Sequence, residues 1–450
     1  MLYNYVIYFL ILILFIIIIY TNFNENNKIL FTLLLLFPLI FLFSKFVNLN
    51  FLFYDYWKNL VVLLMLFICL ILNNLNKEFN LEEWFLSIMV LIGAIVIISC
   101  NHFLILYLGL ELQTFSLFVL ISKNKFWLKS SEAGLKYFIL GALSSGLFLL
   151  GVSIIFMNGY SLDIKNFMFN FWFKDNLLIL AFIIIILSLF FKISLFPLHF
   201  WIPDIYEGSS WKTLGIVGTL PKISVIYFLI QFKELTDIFI ICSLMSIIIG
   251  TLGALNQTKI KRLLAYSGIS HVGFIILILN IINQKGFLIN NIYLLVYMVS
   301  LIAIIIITSI SILSNNNYLI ELSNNQYINK FVGLTWIIIL LSIAGIPPLS
   351  GFISKWLVLW TILEENYIIS SIICILFSAI GAGYYLRLIK IIYFQKNSSF
   401  ILWKSIILNK NYLININFYF LGIIIYFLMF FIIKPTPLFL FFNENLVFIN

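Results

Sequence analysis

Glu111, Lys136, Lys192, Lys222, His271 and Lys355 are ionisable, and each lies in or at the edge of a long apolar run. Glu111 stands in "ILYLGLELQTFSLFVL", Lys192 in "SLFFKISLFPLHFW", Lys222 in "TLPKISVIYFLI" and Lys355 in "IPPLSGFISKWLVLW". A charge at mid-membrane depth costs roughly 2.5–3.5 kcal/mol on insertion scales, so such groups persist where they pair, meet water or carry charge through the layer. The chemistry open to this set is proton handling. Burial and a neighbouring carboxylate act on a lysine in opposite senses, which makes Glu111 with Lys192 a candidate switching pair, Lys222 a central carrier and Lys355 an exit. "RLLAYSGISHVGF" offers His271, among Tyr266, Ser267 and Ser270, as a group between Lys222 and Lys355. Histidine gains and loses protons near neutral pH.

Plainer readings stand beside these. Lys136 follows Glu132 by one turn, so a helix-end ion pair accounts for it as well as a functional role does. Snorkelling or structural pairing is the alternative for Lys192, Lys222 and Lys355. A lone histidine is more often structural than a relay, and His102 and His199, at the ends of apolar runs, read as interfacial.

The elements that must hold these groups are membrane helices. Of the 450 residues 63% are hydrophobic and only 10% charged, and the mean hydropathy is +1.14; a water-soluble domain needs far more polar surface. Runs of roughly 20 apolar residues, the length of a span, occur about fourteen times. They lie near 5–20, 29–46, 59–73, 84–99, 102–122, 132–157, 177–198, 212–231, 236–254, 261–282, 289–313, 333–361, 367–394 and 415–434. The runs are apolar all round, where barrel strands would alternate, so the fold class is an all-α polytopic membrane protein. The first run has no basic region before it and no small-residue cleavage site, and reads as a retained helix.

Helix breakers accompany the lysines. Pro197 follows Lys192, Pro221 precedes Lys222, and Pro347 and Pro348 precede Lys355. Proline inside a span frees backbone carbonyls, which is tolerated where neighbours or water satisfy them. Interrupted helices at related places in two halves mark transporters built from inverted repeats. The broken seventh and twelfth spans lie five apart, which divides the chain into an N-terminal three-helix segment (1–83), a first five-helix repeat (84–231), a second (232–395), and a loop with a last helix (396–450).

Several function classes drop out. The net charge of +9 is spread thinly over loops, with no basic stripe of the kind nucleic acid requires, so lipids and not nucleic acid are the expected surroundings. Assigned alternately to two sides, the loops place roughly twice as many cations on the side holding Lys123, Lys129, Lys212, Lys259, Lys261, Arg262 and Arg387, which should face the matrix or cytoplasm. Cys69, Cys100, Cys242 and Cys374 are scattered singly, without the spacing of an iron–sulfur or zinc site. No phosphate-binding glycine loop or nucleophile-and-base arrangement is present.

Taken together, "YLGLELQTFSLFVL", "SSEAGLKYFILGALSSGLFLLG", "FKISLFPLHFWIPDIYEG", "LPKISV", "NQTKIKRLLAYSGISHVGF" and "SIAGIPPLSGFISKW" resemble the antiporter-like membrane subunits of respiratory complex I, NADH:ubiquinone oxidoreductase, over roughly residues 84–394. One departure is "SSWKTLG" after "PDIYEG", where similar proteins carry a Pro- and Thr-containing turn. The resemblance implies a fourteen-helix fold and proton translocation through Glu111, Lys136, Lys192, Lys222, His271 and Lys355. It implies no cofactor bound by this chain, with NADH, FMN, iron–sulfur clusters and ubiquinone held elsewhere in the complex. It also implies neighbouring membrane subunits, among them subunit 4 and the subunit 4L side. A multi-subunit cation/proton antiporter shares the motifs and is the alternative. The Phe-, Ile-, Asn- and Lys-rich composition with two arginines points to an A+T-rich genome, hence the mitochondrial inner membrane, or else a bacterial plasma membrane.

Overall fold

Length and apolarity dictate helices, and helices are what form. The computed structural model describes residues 56–75, 80–124, 126–164, 176–230, 236–279, 284–310, 318–324, 330–394 and 415–431. In chain order the α-helices are α1 Tyr56–Asn74, α2 Leu81–Ser99, α3 Phe103–Ile121, α4 Leu128–Met157, α5 Asn176–Ile193, α6 Trp201–Gly208 and α7 Trp211–Leu229. There follow α8 Thr236–Leu255, α9 Ile260–Leu279, α10 Gln284–Ile310, α11 Lys330–Ala344, α12 Ser350–Glu364, α13 Ile368–Phe394 and α14 Asn415–Phe430, with a short 3-10 turn at Leu319–Asn324. Among the described residues nine helices are long and apolar enough to cross a membrane, and Val61–Asn74, Phe331–Ala344 and Phe420–Phe430 are shorter apolar helices. The runs expected at 5–20 and 29–46 lie outside the described residues.

The seventh and twelfth spans are indeed interrupted. At the first break Ser194 takes a left-handed φ of 62°, and at the second Gly345 takes 79°. Both close α5 and α11 in the same way. Leu195 N–H bonds the Phe190 carbonyl (2.9 Å) and Ser194 N–H that of Phe191 (3.0 Å); Ile346 N–H bonds Leu341 (3.2 Å) and Gly345 N–H bonds Ser342 (3.1 Å). This is the Schellman pattern of a helix end. Pro197 and Pro348 each stand three residues past the left-handed residue, where no further helical N–H can be supplied. The expected seventh span ended near 198; the structure stops α5 at Ile193 and resumes as α6, carried on to Gly208. Pro203 fits within the first turn of α6 because that turn's N–H groups need no helical partner.

Helix α7 is the axis of the assembly. From Lys212 to Leu229 every residue is buried, the condition of a helix apolar on all sides. It packs against α1, α2, α3, α5 and α10, while α9 packs against α6, α8, α10 and α12. By contrast most residues of α4 and α13 are not buried, so these two run along the outside. Lys212 and Lys261, assigned to loops from the sequence, are in fact buried. So is His199, read as interfacial: it sits in the first break between the rings of Phe196 and Phe200.

Candidate proton-relay site

Helices α3 and α5 carry Glu111 and Lys192. Glu111 is half-buried, and its Oε2 accepts from the Thr114 hydroxyl one turn on (3.0 Å). Lys192 occupies the last turn of α5, 6% exposed, with its ammonium 5.7 Å from the Phe191 ring centre and no hydrogen-bond partner among the described side chains. Glu111 is the carboxylate whose charge reaches Lys192. No ion pair among the described residues joins them, so a gap separates the two.

Lys222 lies at the centre of α7 with no exposed surface and no hydrogen-bond partner for its amine. Its Nζ stands 5.9 Å from the ring centre of Tyr297 on α10. Two residues beyond each of Glu111 and Lys222, Gln113 donates to Ser224 (3.3 Å), which ties α3 to α7 directly. Lys212 shares this helix with Lys222, so Lys222 is not the sole lysine of its span.

His271 falls in the middle of α9. It is buried, with Nδ1 2.8 Å from the Tyr293 hydroxyl, Nε2 3.4 Å from the Tyr385 hydroxyl, and its ring stacked 5.1 Å from that of Tyr297. The charges of Lys355 and Lys222 both act on it. Ser267 and Ser270 instead bond carbonyls of their own helix, as hydroxyls inside helices commonly do. Lys355 donates to the carbonyl of Ala344, the last residue of α11 (2.8 Å), so the amine satisfies a group that the break releases. It is half-buried, less deep than its apolar neighbours in sequence imply.

Lys136 belongs to a different constellation. It pairs with Glu132 (2.6 Å), as the plain reading of its spacing allowed, and also with Asp204 of α6 (2.8 Å). Asp204 further pairs with Arg262 of α9 (2.7 Å); Glu207 pairs with Lys129 (2.6 Å), Lys259 and Arg262 (3.3 Å). Lys261 donates to the Ser209 carbonyl just past α6 (2.5 Å), with the rings of Trp211 and Trp127 5.1 and 5.8 Å away. Beside this, Glu83 holds both Lys123 and the buried Lys212 (3.4 Å). The half-helix α6 is thereby clamped, from Asp204 in its first turn to Ser209 just past its end, by α4, α9 and Lys259 just before α9. Lys136 apart, the cations doing so are those that the alternating loop assignment put on one side.

Sequence reasoning thus missed Tyr293, Tyr297, Tyr385, Gln113 and the α6 carboxylates. The available signal was the one-turn spacing of Tyr293 and Tyr297 in "IYLLVYMVS", which puts both hydroxyls on one helix face. Among the described residues no group of three or more His, Cys, Asp or Glu could hold a metal ion, and all four cysteines are buried and unbridged.

A family model described as "NADH:quinone oxidoreductase/Mrp antiporter, TM" matches residues 100–381. NADH-ubiquinone oxidoreductase chain 2 of Metridium senile is 36% identical over 356 residues, covering 76% of this chain and 92% of that protein. NADH-quinone oxidoreductase subunit N of Neisseria gonorrhoeae is 34% identical over 341 residues, 72% of this chain and 70% of that one. A chain of respiratory complex I from Thermus thermophilus superposes with a TM-score of 0.79 at 25% identity, over 91% of this chain and 92% of that one. The matched region spans both broken helices and every relay candidate, so the chain is a member of the NADH:quinone oxidoreductase/Mrp antiporter transmembrane family.

Proposed function

We propose that this chain is a proton-translocating membrane subunit of a respiratory NADH:ubiquinone oxidoreductase, the counterpart of chain 2 and subunit N. The observation that carries the reading is His271, buried in α9 and hydrogen-bonded to tyrosines of two other helices. In this account Glu111 modulates Lys192 through its field, Lys222 holds the proton at the centre, His271 passes it on, and Lys355 releases it beside the second break. Lys136 holds α6 in place through Asp204. Electron transfer from NADH through FMN and iron–sulfur clusters to ubiquinone belongs to other subunits.

The matching Schellman ends at Ser194 and Gly345 support two inverted repeats, 84–231 and 232–395. The largely exposed flanks of α4 and α13 leave room for lipids and neighbouring membrane subunits, with subunit 4 and the subunit 4L side as the expected ones. The membrane proposed is the mitochondrial inner membrane, on the strength of the A+T-rich composition. Affinity isolation of this chain from native membranes is the test. Recovery with flavin, iron–sulfur subunits and NADH:quinone activity is expected, whereas recovery with antiporter subunits alone would replace this reading by a cation/proton antiporter.

A further inference from the structure

The link between α3 and α4 is short and tied at its base. The Ser130 hydroxyl donates to the Ile121 carbonyl (2.8 Å), and the Trp127 N–H bonds the Asn124 carbonyl (3.0 Å). From this turn Trp127 points inward, its ring centre 5.8 Å from the Lys261 amine. Its two neighbours point out: Phe126 is fully exposed and Leu128 is 82% exposed. Large apolar side chains held out at the end of two membrane helices suit the layer where headgroups meet acyl chains, and not bulk water. Below them on α4 stand Leu135, Ile139 and Leu143, all exposed, at the spacing that lines one side of a helix.

The same edge carries an excess of positive charge. The ionic clusters around α6 and Glu83 hold seven cations to four carboxylates. In the two pairs nearest the turn the carboxylates lie inside and the cations outside: Glu83 and Glu207 are 10% and 13% exposed, Lys123 and Lys129 37% and 40%. An ammonium has three donors, more than the one carboxylate oxygen each amine meets can take up. Glu132, on the same face of α4, is engaged by Lys136. We propose that this edge binds an anionic phospholipid of the leaflet on the more basic side. Lys129 donates to the headgroup phosphate and Lys123 adds to the attracting charge. Phe126 and Leu128 enter the acyl region, and the chains run down α4 along Leu135, Ile139 and Leu143. Trp127 joins the site to Lys261, which holds the carbonyl just past α6, so the bound lipid braces the clamp on that half-helix. The inference goes beyond the relay and does not depend on it.

The test uses the assembled complex in nanodiscs, with a bimane label on Phe126→Cys; the four native cysteines are buried. Equimolar mixtures of phosphatidylglycerol and phosphatidylcholine are compared, with the acyl chains of one lipid or the other brominated, so that quenching reports which lipid surrounds the label. Brominated phosphatidylglycerol should quench several-fold more strongly than brominated phosphatidylcholine. Lys123→Gln with Lys129→Gln should abolish that preference and leave quenching itself in place, whereas Lys129→Arg should keep the preference. In the double variant Glu83 retains Lys212, and Glu207 retains Lys259 and Arg262, so the clamp keeps its other ion pairs. Equal quenching by the two lipids with the native lysines, or a preference that survives the double variant, would overturn the headgroup site. Absence of quenching by either lipid, as for a turn in water or beneath a neighbouring subunit, would overturn the lipid contact altogether.

Discussion

At the scale of single residues, the lysines were legible and, Glu132 beside Lys136 apart, their partners were not. A lysine in an apolar run is conspicuous because its desolvation is costly, and Lys192 and Lys222 are as buried as the sequence implies. The tyrosines around His271 carry no such signature, since a tyrosine in a span is ordinary until its hydroxyl meets a partner from another helix. Lys212 and Lys261 misled for the opposite reason. They lie at helix ends, where a cation normally reaches water, yet Glu83 covers one and two tryptophans flank the other. The gap between Glu111 and Lys192 yields a graded prediction. A charge acting through a field tolerates a shortened side chain better than loss of charge, so Glu111→Asp should pump better than Glu111→Gln. The latter should lower coupled turnover roughly 5-fold or more, the ordinary range of coupling energies. Equal turnover in both and in wild type, measured as NADH-driven proton uptake, would make Glu111 structural.

Among the elements, long apolar helices and both breaks were readable, because span length and proline are local properties. Helix α6 was not. "WIPDIYEG" is short and half polar, and it becomes a helix through what grips it: Lys136, Arg262 and Lys259 on its carboxylates, and Lys261 past its C-terminus. Exposed pairs of this kind contribute little singly, so the clamp's strength lies in its number of contacts and in close packing. Gly208 shows the packing. A Cβ there would lie 2.4 Å from the Lys129 carbonyl oxygen and 2.5 Å from the Ala133 Cβ, so α4 approaches α6 only because the side chain is absent. Gly208→Ala should overpack this junction by about 1–3 kcal/mol. The expected result is reduced thermal stability of the detergent-solubilised complex; an unchanged melting profile would show that the two helices are not held as tightly as described.

For the molecule as a whole, charge decides orientation. Lys129, Lys259, Lys261 and Arg262 around α6, and Lys123 and Lys212 around Glu83, all belong to the more basic side of the alternating assignment, whereas Lys285 pairs with Glu364 at junctions assigned to the other. The positive-inside rule turns that asymmetry into sidedness. With the four native cysteines buried, Asn124→Cys should react with an impermeant thiol reagent from the matrix or cytoplasmic side and Asn366→Cys from the opposite side. Labelling of both from one side would mean a miscounted span. Above orientation stands the coupling itself, which on the proposed relay runs through the buried amine of α7. The most direct measurement is the ratio of protons translocated to NADH oxidised in an assembled Lys222→Ala complex. Loss of a positioned acid–base group is expected to slow proton transfer by roughly a hundredfold or more, so pumping by this subunit should vanish and the ratio should fall while the complex remains intact; a wild-type ratio would contradict the account.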